Sequence, residues 1–153
     1  MAKQKGLSRR LLDLRRFPLT KRIAFQILML FGISIPNSVQ IGEDLYLVHG
    51  GLGVVIHPSS VIGDRVIIHP GVTLGRADIH IPFDKSSFEG IVIEDDVILG
   101  SGAKVLCKNG VLTIRKGTIV GANAVLLNST QENEIWAGVP AKVVGYREKL
   151  YQL

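Results

Sequence analysis

The residues best suited to chemistry lie at a glycine-rich turn in the first third of the chain. His49 is followed by Gly50 and Gly51, and residues 47–75 contain three of the four histidines. A neutral imidazole near pH 7 can accept the proton of a hydroxyl group that attacks a carbonyl. His49 is therefore the candidate general base, and the glycine-rich backbone after it is a candidate donor to the resulting oxyanion.

Aliphatic residues recur every six positions around this turn and far beyond it. A period of six fits neither a helix, which repeats near 3.6 residues, nor a simple strand, which repeats at 2. It predicts a hexapeptide β-helix, in which each hexad supplies one strand and one corner, and three hexads form a triangular coil. The repeating positions are Ile35, Ile41, Leu47, Ile56, Ile62, Ile68, Leu74, Ile93, Leu99, Val105, Ile114, Val120 and Leu126.

Extra residues interrupt this count at three places. Three are added around His49, an excursion runs from Arg76 to about Gly90, and three more form a predicted bulge at Cys107–Gly110. The excursion either shapes an acceptor pocket or is a solvated flap. Cys107 is the single cysteine, which excludes a disulfide framework, and its position predicts a structural role.

The count also predicts which residues stack on successive coils. One shared edge should consist of Leu47, Ile68, Leu99 and Val120. Two residues after each of these come His49, Pro70, Ser101 and Ala122. They should form one column, with about 4.8 Å between coils. Its small residues suit a long, thin ligand, although glycine and alanine also serve simply to make tight corners.

The N-terminal arm carries the positive charge of the chain. The formal net charge is +5, with +7 in residues 1–22 and −2 in the remainder. The spacing of leucine and isoleucine predicts helices in the arm, with Pro18 as an interruption. We therefore predict a basic helical segment over residues 1–33 and a β-helix domain with a C-terminal tail over residues 34–153.

Two interpretations of the arm stay open. Either it caps the open end of the β-helix with a solvated basic face, or residues 1–31 also contact anionic lipid. The apolar run of residues 23–35 is too short to span a bilayer, and no nucleic-acid-binding motif is present. The cysteine usage and the lack of a signal-peptide cleavage site predict a cytoplasmic protein, at most peripheral at the inner face of the membrane.

Four short motifs are shared with one enzyme family. They are His49–Ile56 (HGGLGVVI), Gly71–Gly75 (GVTLG), Ile98–Ala103 (ILGSGA) and Ala137–Lys142 (AGVPAK). Over about residues 34–145 the chain resembles the hexapeptide acyltransferases, in particular serine acetyltransferases and the related O-acetyltransferases of polysaccharide clusters. The resemblance implies an all-β fold, a left-handed parallel β-helix with an N-terminal helical segment. It also implies a homotrimer that binds acetyl-CoA, the acyl donor, between subunits.

The resemblance further implies roles for individual residues. His49 falls on the family's catalytic histidine. The positions assigned to acetyl-CoA are Gly75, Arg76, Ser101, Ala122 and Lys142. Of these, Ser101 and Ala122 fall beside the pantetheine arm and Lys142 near the CoA phosphates. The predicted acceptor-site residues are His69, Asp78 and His80, although His69 could equally cap a corner.

Three positions depart from the serine acetyltransferase pattern. Ser34 stands where that family has an aspartate supporting the catalytic histidine, and Val48 replaces the acid before that histidine. Gly90 aligns with a second active-site histidine. These losses favour a sugar hydroxyl in polysaccharide biosynthesis as the acceptor, with serine as the alternative.

Two other functional classes use the same architecture. Trimeric zinc carbonic anhydrases need three converging histidines. His57 and His69 are twelve residues apart and fall on different faces of the prism, so no metal is expected. The alternative outside enzymes is a non-catalytic trimeric scaffold. His49 beside a column of small residues argues against it.

Overall fold

The structure is a computed structural model that describes residues 7–14, 17 and 19–148. Two helices come first, α1 (Leu7–Leu14) and α2 (Lys21–Leu30). The strands that follow are β1 (Gln40–Ile41), β2 (Tyr46–Leu47), β3 (Val55–Ile56), β4 (Ser60–Ile62), β5 (Ile67–Ile68), β6 (Thr73–Arg76), β7 (Phe88–Ile93), β8 (Ile98–Leu99), β9 (Lys104–Cys107), β10 (Gly110–Ile114), β11 (Ile119–Val120), β12 (Val125–Leu126), β13 (Glu134–Gly138) and β14 (Ala141–Tyr146). Two 3₁₀ turns lie between strands, at Val48–Gly51 and Phe83–Lys85.

The strands form a parallel β-helix with three sheets. Their orders are β1-β4-β7-β10, β2-β5-β8-β11-β13-β14 and β3-β6-β9-β12, so each coil gives one strand to each sheet. β13 and β14 form an antiparallel hairpin at the C-terminal end. Leu47 pairs with Ile68, Ile68 with Leu99, and Leu99 with Val120. The predicted edge of the prism is therefore confirmed.

The core is a stack of aliphatic side chains inside the prism. Successive residues of a strand point to opposite faces, so in β5 Ile68 is buried while Ile67 is half-buried. Eleven hexad positions are at most 2% exposed: Ile35, Ile56, Ile62, Ile68, Leu74, Ile93, Leu99, Val105, Ile114, Val120 and Leu126. The period of six thus accounts for the interior of the fold.

The insertions leave the coils at corners. The turn Val48–Gly51 follows β2, and the excursion follows β6 and occupies residues 77–87. The extra residues at 107–110 form the predicted bulge only in part: Lys108 and Asn109 are exposed between the strands, whereas Cys107 and Gly110 lengthen β9 and β10. Cys107 is buried and pairs with Arg76, and Gly110 pairs with Phe88. These longer strands continue the sheets at the base of the excursion.

The two helices close the N-terminal end of the prism. Leu11 and Leu12 of α1 and Leu28 of α2 belong to the same buried cluster as Leu47 of the first coil. One side of each helix therefore extends the core of the β-helix. The predicted boundary between residues 33 and 34 stays a prediction, and residues 1–6, 15, 16, 18 and 149–153 lie outside the described part.

Helix α2 ends in a Schellman motif that directs the chain into the first coil. Ile33 N–H donates to Leu28 O (3.0 Å), and Gly32 N–H donates to Met29 O (2.9 Å). Gly32 has a φ of +70°, a left-handed conformation that glycine adopts without steric cost. Ile33 and Leu28 are both buried, so the end of α2 is packed as well as hydrogen-bonded.

The cap can be tested with two leucines of the same helix. Leu28 is fully buried, whereas Leu30 is 85% exposed. Leu28→Ala should lower the free energy of unfolding by about 2–5 kcal/mol, because it leaves a cavity under α2. Leu30→Ala, the matched control, should change it by less than about 0.5 kcal/mol. Urea denaturation at one fixed protein concentration measures both, and equal effects would contradict this position of α2.

Candidate active site

A column of small residues runs along the corner between the sheet of β2 and the sheet of β3. Gly102 N–H donates to Pro70 O (2.8 Å), and Asn123 N–H donates to Ser101 O (2.8 Å). These bonds have the spacing of parallel strands, so Pro70, Ser101 and Ala122 lie on successive coils as predicted. Ser101 and Ala122 are exposed. The column is therefore an open strip along the outside of the prism.

The N-terminal end of the column differs from the prediction. Gly71 N–H donates to Leu52 O (2.9 Å), so Leu52, and not His49, stacks next to Pro70. The additional residues come before Leu52, in the turn Val48–Gly51, and they carry His49 out of the stack. His49 therefore lies beside the end of the column rather than within it.

The turn holds His49 in an uncommon backbone conformation. His49 has φ +50° and ψ +35°, and Gly50 and Gly51 follow with φ +77° and +84°. Positive φ is uncommon for a residue with a side chain, and such residues cluster at functional sites. A Cβ on Gly51 would lie 2.9 Å from Leu47 Cδ1, so the turn is pressed against the first coil. Helix α1 packs against the same turn.

The imidazole of His49 is open to solvent in the single chain. The residue is exposed, and its ring has no hydrogen-bond or ion-pair partner among the described residues. Ser34, where the resemblance expects a supporting aspartate, is paired with Val55 through its backbone. Within the described part of one chain, the His49 ring is thus available to an incoming hydroxyl group.

His69 lies beside the column on the second coil. The backbone N–H of His69 donates to Leu99 O (3.0 Å), which puts His69 level with Gly100 one coil further on. A Cβ on Gly100 would lie 2.7 Å from the backbone nitrogen of Ala122, so only glycine fits there. Half-buried His69 therefore lies next to a stretch of bare backbone, one residue before Pro70 in the column.

The excursion between β6 and β7 is built around a buried carboxylate. Asp78 is 1% exposed. Arg76 Nε donates to Asp78 Oδ1 (2.8 Å), and Ser86 Oγ donates to Asp78 Oδ2 (2.6 Å). Arg76 also donates to Ile81 O (2.9 Å) and lies over the Phe83 ring, 5.2 Å from its centroid. The hydrogen bonds from Arg76 and then Ser86 lower the pKa of Asp78 to about 2.

These contacts favour a structural role for Arg76 and Asp78 over the predicted ligand contacts. Both carboxylate oxygens of Asp78 and two nitrogens of Arg76 are engaged inside the excursion. Acetyl-CoA binding by Arg76 and acceptor binding by Asp78 stay predictions. His80, by contrast, is exposed on the excursion, and half-buried Gly75 lies in β6 at its base.

The predicted site residues form two groups within one chain. His49, His69, Ser101 and Ala122 share the corner that carries the column. Asp78 and His80 belong to the excursion at the next corner, between the sheet of β6 and the sheet of β7. Lys142 is exposed on β14 and pairs with Ala137, beyond Ala122 at the C-terminal end of the column.

Lys104 is a neighbour of the column that residue types and motifs alone do not reveal. Its Nζ donates to Gly71 O (2.6 Å) and to Thr73 Oγ1 (3.1 Å), which ties one coil to the next. The hexad count could have predicted this position, because its register pairs Thr73 with Lys104. An ammonium group is thus fixed beside the backbone of the column.

His57 belongs to the packing below the excursion. Its Nδ1 accepts the Ser59 N–H (3.1 Å), and its ring meets the Phe88 ring edge-on at 4.6 Å. Burial, followed by the nearby charge of Arg76, lowers its pKa. Among the residues that the structure describes, no three His, Cys, Asp or Glu side chains are grouped as a metal site.

The buried carboxylate predicts how the excursion responds to mutation. Asp78→Asn removes the charge that Arg76 and Ser86 hold, so the excursion should open and chymotrypsin should cleave at exposed Phe83 at least about tenfold faster. Asp84→Asn changes an exposed carboxylate of the same excursion and is the matched control. Equal cleavage rates in the two variants would show that Asp78 does not hold the excursion.

The same contact predicts a pH dependence. The folded pKa of about 2 lies below the ordinary value of 3.8, so the Asp78 carboxylate stabilises the excursion above about pH 4. That contribution is lost as the pH falls through 2. Pepsin cleavage within residues 77–87 should therefore rise between pH 4 and pH 2 in the unmodified chain, and Asp78→Asn should lack this rise.

Curated proteins and solved structures similar to this chain are serine acetyltransferases. No family model matches the chain. It is 38% identical over 124 residues to a serine acetyltransferase of Staphylococcus xylosus, a match that covers 80% of this chain and 53% of that protein. The chain thus spans about half the length of the curated relatives it matches.

The similar solved structures are also serine acetyltransferases. The structure of serine acetyltransferase from Vibrio cholerae superposes with a TM-score of 0.76 at 27% identity, covering 94% of this chain and 56% of that one. The enzyme of Brucella abortus in complex with coenzyme A superposes with a TM-score of 0.72 at 28% identity, covering 88% and 54%. The predicted left-handed parallel β-helix is confirmed by this likeness, and over the matched region the chain is similar to the serine acetyltransferases, which belong to the hexapeptide-repeat acyltransferases.

Proposed function

We propose that this chain is an acetyl-CoA-dependent O-acetyltransferase. The observation that carries the proposal is the placement of His49, exposed in a strained turn at one end of an open column of small residues. The relatives named above are serine acetyltransferases, and one of the similar structures is a complex with coenzyme A. A general base beside a narrow strip of backbone is what transfer from a long thioester donor requires.

In this proposal the donor lies along the column. The pantetheine arm runs past Ala122 and Ser101, and the thioester reaches the His49 end, roughly 14 Å or three coil spacings away. Exposed Lys142, beyond Ala122, is placed to meet the phosphates of CoA. The column offers backbone amides and carbonyls rather than side chains, which suits the amide groups of a pantetheine arm.

The proposed reaction needs one base and one set of oxyanion donors. A ring nitrogen of His49 takes the proton of the acceptor hydroxyl as its oxygen attacks the thioester carbonyl. The tetrahedral intermediate then collapses, the C–S bond breaks, and the CoA sulfur takes up the proton from the imidazolium. The backbone N–H groups of the turn that holds His49, Gly50 and Gly51 are the proposed oxyanion donors.

Serine is the first acceptor to consider, because the relatives carry that name. A sugar hydroxyl is the second candidate, and the departures at Ser34, Val48 and Gly90 favour it. Gly90 adds a structural reason, since a Cβ there would lie 2.7 Å from Ser59 O and no histidine could replace it without moving that strand. The acceptor pocket of this chain therefore differs from one that uses a histidine at this position.

The central test replaces the base without disturbing the turn. Asparagine tolerates positive φ, so His49→Asn should keep the turn and remove only the proton acceptor. Turnover should fall by about 10²–10⁴-fold while the affinity for CoA stays the same. The assay is acetyl transfer to serine, nucleotide sugars and oligosaccharides, with mass detection. Full activity in the variant would show that His49 is not the base. If the unmodified chain neither bound CoA nor transferred acetyl, the chain would be a scaffold.

The assembly we propose is a trimer. Asp78 and His80 lie at a different corner from His49, so a site that uses both groups needs two copies of the chain. The outer side of the sheet that contains β2 is apolar, with a row formed by Tyr46, Ile67, Ile98, Ile119 and Ile135. Such a row on a sheet face is a natural packing surface for a neighbouring subunit.

Light scattering tests the assembly. The native mass should be three times the 16.7 kDa of the chain. Ile98→Glu places a charge in the middle of the apolar row and should shift the mass to that of one chain, with loss of transfer. Val61→Glu, at an exposed position of β4 in a different sheet, is the control and should leave the mass unchanged. Circular dichroism confirms that both variants are folded, and an active single chain would contradict the trimer.

A further inference from the structure

Exposed apolar side chains are concentrated around helix α2. In the turn before the helix, Leu19 is 90% exposed, and within the helix Ile23 is 63% and Leu30 85% exposed. Phe17 and Phe31, at either side of the helix, are 61% and 52% exposed. Single exposed apolar residues are ordinary, but a cluster of this size on one element marks a surface that meets a partner.

The cluster lies opposite the side of α2 that caps the β-helix. At about 100° per residue, Ile23 and Leu30 fall on one side of the helix and the buried residues Ala24 and Leu28 on the other, while Leu19 lies in the turn that leads into α2. We call Leu19, Ile23 and Leu30 the outer face of α2. The helix is thus apolar on two sides, and only one of them is covered by the described part of this chain.

The sequence around α2 is basic. Residues 14–42 contain four lysines or arginines (15, 16, 21 and 22) and no aspartate or glutamate. Lys21 and Arg22 open α2 and are both exposed. An apolar strip with cations at its border has the composition of a helix that lies in the interface of an anionic bilayer.

We propose that the outer face of α2 docks on an anionic lipid bilayer, with Lys21 and Arg22 at the level of the headgroups. The helix would lie in the plane of the interface, since no described helix is long and apolar enough to cross a membrane. A second copy of the chain is the less suitable occupant. A symmetric contact through this face would bring Lys21 and Arg22 of both copies together without an acidic residue between 14 and 42 to offset them.

The test uses the full chain in flotation with unilamellar vesicles of phosphatidylcholine alone or mixed with phosphatidylglycerol. The protein should float with the mixed vesicles and not with phosphatidylcholine alone. Raising the salt from about 0.01 M to about 0.15 M shortens the Debye length from about 30 Å to about 8 Å and should weaken binding several-fold. Equal binding to both vesicle types, or none to either at low salt, would overturn the proposal.

Two variants separate the apolar and the charged contributions. Leu19→Gln/Ile23→Gln/Leu30→Gln should lower the vesicle partition coefficient at least about 100-fold, because three apolar side chains no longer enter the interface. Lys21→Gln/Arg22→Gln should lower it about 30-fold on mixed vesicles. All of these positions are exposed, so the fold should be retained, as circular dichroism and the unfolding midpoint would show.

Matched controls change the same chemistry elsewhere on the surface. Val139→Gln/Val144→Gln removes apolar side chains that are 72% and 64% exposed, and Lys108→Gln/Lys116→Gln removes two exposed charges. Both should float like the unmodified chain. If a control lost binding as strongly as its counterpart, the attraction would be general and not a property of α2. If the triple variant changed only the light-scattering mass, the face would be a contact between copies and the lipid proposal would be wrong.

Discussion

The fold depends on the parallel stacking of one coil on the next at a fixed backbone distance. At the corners this distance leaves no room for side chains that point along the stack: a Cβ on Gly100 would lie 2.7 Å from Ala122 N, and one on Gly63 would lie 2.9 Å from Asp95 N. Small residues and bare backbone at the corners are therefore a consequence of the architecture. They also leave the open strip that we assign to the acyl donor. The same constraint forces every additional residue outward or into a longer strand.

In this proposal the catalytic base lies in an insertion, whereas the surface that binds the acyl donor is formed by the regular coils. His49 is reactive in this proposal because its turn departs from the stack, with a left-handed backbone and an exposed ring. The excursion is an insertion of a different kind. It has its own internal framework, in which Asp78 is held by Arg76 and Ser86. One insertion thus presents a side chain, and the other folds Asp78 inward and leaves Ile79, His80 and Phe83 among its exposed residues.

The sequence predicts the regular part of the molecule well, because one period controls both burial and register. Counting in sixes gives the edge of Leu47, Ile68, Leu99 and Val120, and the strand pairing matches it. The same count cannot tell where an inserted residue leaves the coil, so it puts His49 in the column where the structure has Leu52. It also cannot tell a bulge from a longer strand, as at Cys107 and Gly110. The contacts of Asp78 depend on the path of the excursion, for which no period exists.

The N-terminal segment shows why two interpretations of one sequence need not exclude each other. A helix of ten residues has two sides, and in α2 both are apolar, so burial of Leu28 against the coils leaves Leu30 free for another partner. The cap and the lipid contact therefore use different residues. They are nevertheless linked through α1, which packs against α2 and against the turn that holds His49. If α2 lies on a bilayer, the proposed catalytic turn lies at the same end of the molecule, because Gly53 N–H, just after the turn, donates to Gly32 O at the end of α2 (3.0 Å). Membrane contact would then bring the base close to acceptors that are themselves held at that surface.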